Sequence, residues 1–143
     1  MIIDRETIET LVGTKISKID LYQKAFRHKS ALKENGNLDS FETLEFIGDS
    51  VLGFVITKFL FDRYEQQKEG FLTKARTKLV RGETLAKIAM KLEMYKWIQM
   101  DEKGMRNEWF KNPKILEDVF EAFIGAIYMD LGLLHFELKN TSE

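Results

Sequence analysis

Between Phe41 and Leu52 the chain reads Phe-Glu-Thr-Leu-Glu-Phe-Ile-Gly-Asp-Ser-Val-Leu, and this stretch limits what the remainder can fold into. Glu42, Glu45 and Asp49 stand at i, i+3 and i+7. At about 100° per residue this spacing puts three carboxylates in one narrow sector of a helix. Leu44, Ile47, Val51 and Val55 form an apolar stripe of the same period on the far side, so the helix can bury one flank and hold its acids out on the other. Phe46 and Gly53 lie beside the acids. Gly48 sits mid-helix although glycine costs roughly 1 kcal/mol against alanine there, which points to a close approach by another group.

Seventy residues on, the pattern returns in Asn112-Pro-Lys-Ile-Leu-Glu-Asp-Val-Phe-Glu-Ala-Phe-Ile-Gly-Ala-Ile-Tyr. Asn112 is a good N-cap and Pro113 a good first helical residue. Asp118 and Glu121 then form an i, i+3 pair in the first turns, set among Leu116, Val119, Phe120, Phe123, Ile124 and Ile127. A single helical acid is most often plain surface; acids embedded in so apolar a helix are expected to have a task.

In chain order, Asp4 caps a predicted helix Arg5 to Val12 that Gly13 closes, and a second runs from Leu21 to Leu32. The Asn-Gly pair marks a turn over Glu34 to Asp39. The acidic helix runs from about Ser40 toward Tyr64. Thr73 caps a helix Lys74 to Val80, which Gly82 and Thr84 break and restart as Leu85 to Leu92. A connector, Met100 to Asn112, precedes the last helix, which stops near Gly132. No segment alternates like a strand, so the fold class expected is an all-α helical bundle.

At 143 residues, with 44% hydrophobic and 31% charged residues, the chain is expected to be one domain, 1–143, of ordinary globular composition. The lack of cysteine excludes disulfides, thiolate metal sites and thiol catalysis. No signal peptide or long apolar run is visible, so the expectation is a soluble, cytoplasmic protein with no membrane partner. The formal charge of −1 lacks the excess of base usual in phosphate binders. A carboxylate cluster filled by cations would account for much of that negative charge.

Glu42-Thr-Leu-Glu-Phe-Ile-Gly-Asp-Ser-Val-Leu52 closely resembles the hallmark segment of the ribonuclease III endonuclease domain, and Asp118-Val-Phe-Glu-Ala-Phe-Ile-Gly-Ala126 resembles that family's second acidic segment. Ala25-Phe-Arg-His-Lys-Ser30, and Glu69-Gly-Phe-Leu-Thr-Lys-Ala-Arg76 followed by Leu79-Val-Arg-Gly-Glu-Thr-Leu-Ala86, fit in the same order. The resemblance implies a helical domain that dimerises and cuts double-stranded RNA by metal-assisted hydrolysis, leaving 5′-phosphate and 3′-hydroxyl ends. It implies Glu45, Asp49, Asp118 and Glu121 as metal-binding and catalytic carboxylates, Glu42 as an auxiliary acid, and Glu69 as a further one. It also implies that Phe46 plugs a pocket on a partner copy; burial of Phe46 in its own core is the alternative for a helix aromatic.

If those four carboxylates meet across a helix pair, each pair at ~6 Å repels by about 3 kcal/mol at an effective dielectric near 20. Protons or cations must then compensate. Oxygen ligands without histidine or cysteine select hard ions, Mg²⁺ with Mn²⁺ as a substitute. Such a site can activate water against a phosphodiester and stabilise the leaving oxygen.

Lys74, Lys78 and Arg81, at i, i+4 and i+7, form a basic ridge that reads either as a solvated face or as phosphate contacts along an A-form backbone. Arg76 points away from it and is expected in a structural ion pair. His28 is expected to make structural hydrogen bonds, and Trp109 and Phe110 to pack under their own loop. Two departures from the family stand out. Glu117 occupies a usually small, apolar position and is expected to face solvent, and within ten residues of Leu133 the chain ends where most relatives continue into a double-stranded-RNA-binding domain. Two other readings fit the acids: an all-α nucleotide pyrophosphatase, which also pairs Glu-x-x-Glu with Glu-x-x-Asp, and a non-catalytic RNA-binding or assembly dimer. A di-iron bundle would need Glu-x-x-His pairs that are absent.

Overall fold

The computed structural model describes residues 1–32 and 40–136, and its regular elements are all helical. The one β-type contact among these residues is an isolated bridge between Arg27 and Gln99. Helix α1 (Arg5–Val12) starts where the Asp4 carboxylate accepts from the Thr7 amide at 2.9 Å, and ends at Gly13 in the left-handed region. Its Ile8 and Val12 are fully buried.

Helix α2 (Ile19–Ala25) stops well short of the expected Leu32. Tertiary bonding overrides local propensity here. The Gln99 amide donates to the Phe26 carbonyl at 2.8 Å, and the His28 amide to the Gln99 carbonyl at 2.9 Å, drawing the backbone away from the helix. Phe26 is buried edge-on against Trp97 and Phe123. A 3₁₀ turn, Lys29–Ala31, follows, its Ser30 amide donating to His28 Nδ1. The turn expected at Glu34 to Asp39 lies outside the described residues.

Helix α3 (Glu42–Arg63) is the long acidic helix, within two residues of its expected bounds. Helix α4 (Glu69–Leu79) begins earlier than expected, because extended Lys68 lets Glu69 supply the negative charge favoured in a first turn. Thr73 is therefore an interior residue; its hydroxyl donates to Glu69 Oε1. Helix α5 (Gly82–Lys91) likewise restarts at Gly82 rather than Leu85, and the Thr84 hydroxyl ties the corner by donating to the Lys78 carbonyl. The connector holds the short helix α6 (Glu102–Arg106), capped by Asp101, and a 3₁₀ turn at Trp109–Lys111.

Helix α7 (Pro113–Leu131) begins as expected, with the Asn112 side chain accepting from the Lys114 amide, and ends at Gly132 with φ +80°. It is the axis of the molecule: α3, α5 and α2 all pack on it, α3 most extensively. Leu116, Val119, Ala122, Phe123, Ala126 and Ile127 enter the core from α7, and each large apolar side chain buried this way contributes about 1.5–3 kcal/mol. At its far end Asp130 accepts hydrogen bonds from the Ser17 and Lys18 amides and from the Tyr22 hydroxyl. That clasp joins the end of α7 to the start of α2. Although burial pushes the Asp130 carboxyl up, the three donors outweigh it and hold the group below its ordinary range. No helix among the described residues is long and apolar enough to cross a membrane.

Candidate metal centre

The site exists because two helix backbones touch. A Cβ at Gly48 of α3 would lie 1.8 Å from the Glu121 carbonyl oxygen of α7, and one at Gly125 would lie 2.2 Å from the Leu44 carbonyl oxygen. Only glycine at both positions permits this crossing. The close approach expected at Gly48 is therefore made by the second acidic helix itself. Gly53 has open space where its Cβ would be and plays no comparable part. The residues that α3 buries are Leu44, Gly48, Val51, Leu52 and Leu60, with Ile47 and Val55 only half-buried.

Glu45, one turn before Gly48, meets Asp118 and Glu121 across this crossing. One carboxylate oxygen from each of the three lies within 4.8 Å of the others. Glu121 is 7% exposed, Asp118 and Glu45 partly buried. Glu45 lies against Asp118, and Glu121 against Asp49. Burial, then the Asp49 carboxylate, raises Glu121 to about 8; burial, then the charge of Asp118, raises Glu45 to about 7. Such crowding of acids at the edge of a core is the repulsion anticipated above, and it favours the protonated forms when no cation is bound.

Asp118 adds a second sign of fit to a cation. Its Oδ1 is shut off from solvent and makes no hydrogen bond, although Lys114 Nζ stands 3.0 Å away as an ion pair. An all-oxygen set whose buried acceptor is met by a single ammonium suits a hard divalent cation.

The remaining site candidates are dispersed. Asp49 is exposed and reaches the cluster through Glu121, outside the tight group of three. Glu42, in the first turn of α3, is exposed but close enough to add to the upward push on Glu45. Glu69 is exposed at the start of α4, partnered by Thr73 and apart from the three-acid group. Lys74, Lys78 and Arg81 are all exposed, on α4 and at the entry to α5. Arg76 bonds the Thr57 hydroxyl at 3.3 Å rather than a carboxylate, which corrects the expected ion pair. Phe46 is 81% exposed, so it is not part of its own core.

His28 has the structural role expected of it. Its Nδ1 lies 2.8 Å from the Ser30 hydroxyl, which accepts from the Asp101 amide, and burial followed by the nearby Lys29 charge lowers its pKa. Trp109 packs on Gly104, under its own loop. Glu117 departs from expectation. It is only 22% exposed, lies 3.8 Å from Lys114 Nζ, and its carboxylate abuts Gly82 at the start of α5.

The ribonuclease III domain model matches residues 42–132, which hold both acidic segments. The chain belongs to the ribonuclease III family. A putative protein of Paramecium bursaria Chlorella virus 1 is 42% identical over 129 residues, covering 90% of this chain and 46% of the viral protein. Ribonuclease 3 of Nitrosococcus oceani is 39% identical, covering 85% of this chain and 50% of its own length. The chain thus spans about half the length of the curated relatives it matches. The nuclease domain of ribonuclease III from Campylobacter jejuni, solved in work on flexibility in its dimer-forming region, superposes with a TM-score of 0.82 at 35% identity. That likeness covers 96% of this chain and 92% of the solved one. Membership of the ribonuclease III family weighs against the nucleotide pyrophosphatase reading of the same acids.

Proposed function

We propose that this ribonuclease III family member is a divalent-metal-dependent endonuclease of double-stranded RNA, leaving 5′-phosphate and 3′-hydroxyl ends. The observation that carries the reading is the meeting of Glu45, Asp118 and Glu121 over the Gly48–Gly125 crossing. These three hold the cation, Mg²⁺ with Mn²⁺ as a substitute, and Asp49 completes the set from beyond Glu121. A cation held there supplies Lewis acidity to the phosphodiester and lowers the pKa of water.

The chain's own residues do the rest. Glu121 and Glu45 release their protons when the cation arrives, so their raised pKa values make cation uptake steeper with pH. Glu42 adds negative charge at the rim of the site. Lys74, Lys78 and Arg81 meet duplex phosphates along the α4–α5 corner, with Glu69 at the start of the same helix, and supply the base that a net charge of −1 does not. Phe46 is the anchor of a homodimer, because a large aromatic at 81% exposure beside the acids calls for cover.

The test is cleavage of a long RNA duplex by the purified chain with Mg²⁺ and with chelator. Cutting is expected only with the metal. Glu121→Gln is expected to lower cutting about a hundredfold or more while duplex binding persists. Normal cutting by that variant would remove Glu121 from the metal site.

A further inference from the structure

Glu117 and Lys114 lie one turn apart on α7, Lys114 exposed and Glu117 mostly buried, immediately before the acids that form the cluster. Lys114 is the cation nearest that cluster: its ammonium is 3.0 Å from Asp118 Oδ1 and 3.8 Å from Glu117 Oε1, so it is shared between the two carboxylates. Glu117 is itself held. A Cβ at Gly82 would come within 2.5 Å of Glu117 Oε1, so the carboxylate occupies the notch that glycine leaves at the first residue of α5. The positive end of that helix favours an acid there. Without Glu117, Asp118 would be the remaining carboxylate within ion-pair distance of the Lys114 ammonium.

The geometry points to Glu117 as a positioning residue that draws the Lys114 ammonium partly off Asp118, leaving that carboxylate available to a divalent cation. The inference rests on the cation site proposed above. Lys114 and a metal ion compete for the same oxygen, and Glu117 biases the competition toward the metal. Gly82 takes part because any side chain there would push the Glu117 carboxylate out of its notch, the terminus of a flexible side chain being the group that yields.

Mn²⁺ binding, measured by calorimetry on the whole chain without RNA, tests this separately from cleavage. The near-isosteric Glu117→Gln fills the notch without the charge and is expected to weaken Mn²⁺ about three- to tenfold, each tenfold being 1.4 kcal/mol. Gly82→Ala is expected to weaken it in the same direction, and to add nothing on a Glu117→Ala background. In a Lys114→Met background the effect of Glu117→Gln is expected to shrink to under about twofold, because the intermediary is gone. Unchanged affinity in Glu117→Gln overturns the inference, as does an equal loss with and without Lys114, which would make Glu117 a simple nearby charge. If the unmodified chain binds no Mn²⁺, the cation site itself fails; if it binds and Glu117→Gln matches it, only the role of Glu117 fails. Melting of the metal-free variants identifies any that do not fold, and Glu117→Gln, which keeps the packing, decides in that case.

Discussion

Glu121 is an acid enclosed by its own helix and the one it crosses, with Glu45, Asp49, Glu117 and Asp118 around it, and its pKa is pushed up to about 8. Because its folded pKa of about 8 lies above the ordinary 4.5, the folded chain binds more protons than the unfolded chain between those values. Stability must therefore fall as pH rises through that window. In chelator, the free energy of unfolding is expected to drop by on the order of 2 kcal/mol from pH 5 to pH 8, measured by urea titration. Glu121→Gln should flatten the drop, leaving the variant more stable than the parent at pH 8. Saturating Mg²⁺ should do the same to the parent by replacing the protons. A stability that rises over this range without metal would contradict the buried, protonated state of Glu121.

At the scale of elements, the α3–α7 crossing carries both fold and site. Gly48→Ala would drive a methyl group into the Glu121 carbonyl and is expected to cost about 2–4 kcal/mol, read by denaturant melts, with Mn²⁺ binding weakened in step. Gly53→Ala on the same helix meets nothing and is expected to be neutral or to stabilise by up to about 1 kcal/mol. The contrast separates contact from helix propensity. The sequence made one half of this crossing legible: mid-helix Gly48 stood out against its propensity, and the acids share one period. Nothing local marks Gly125, because its partner is the Leu44 carbonyl, some eighty positions away. The same limit hid Glu117, whose surroundings are set by Gly82 of another helix, and the end of α2, which depends on backbone bonds to Gln99. The caps at Asp4, Asn112 and Gly132 were legible because their partners lie within four residues. Thr73 misled because a good capping residue also fits inside a helix when its hydroxyl finds Glu69.

For the whole molecule, the unburied aromatics are the features that one chain leaves without an explanation. Phe46, Phe54 and Phe61 of α3 all stand mostly in solvent. If Phe46 anchors a second copy, Phe46→Asp is expected to shift the protein from dimer to monomer in sedimentation velocity and to reduce duplex cutting at least tenfold. Mn²⁺ binding should survive, since the three clustered acids come from a single chain. A Phe46→Asp protein that remains dimeric would move the interface elsewhere. The Asp130 clasp bears on how such a molecule comes into being on the ribosome. A nascent chain that has emerged only as far as Lys111 possesses Glu45 and Asp49 but nothing opposite them, and the start of α2 lacks the Asp130 clasp. The three-acid group is thus withheld from unfinished copies and forms only as α7 docks.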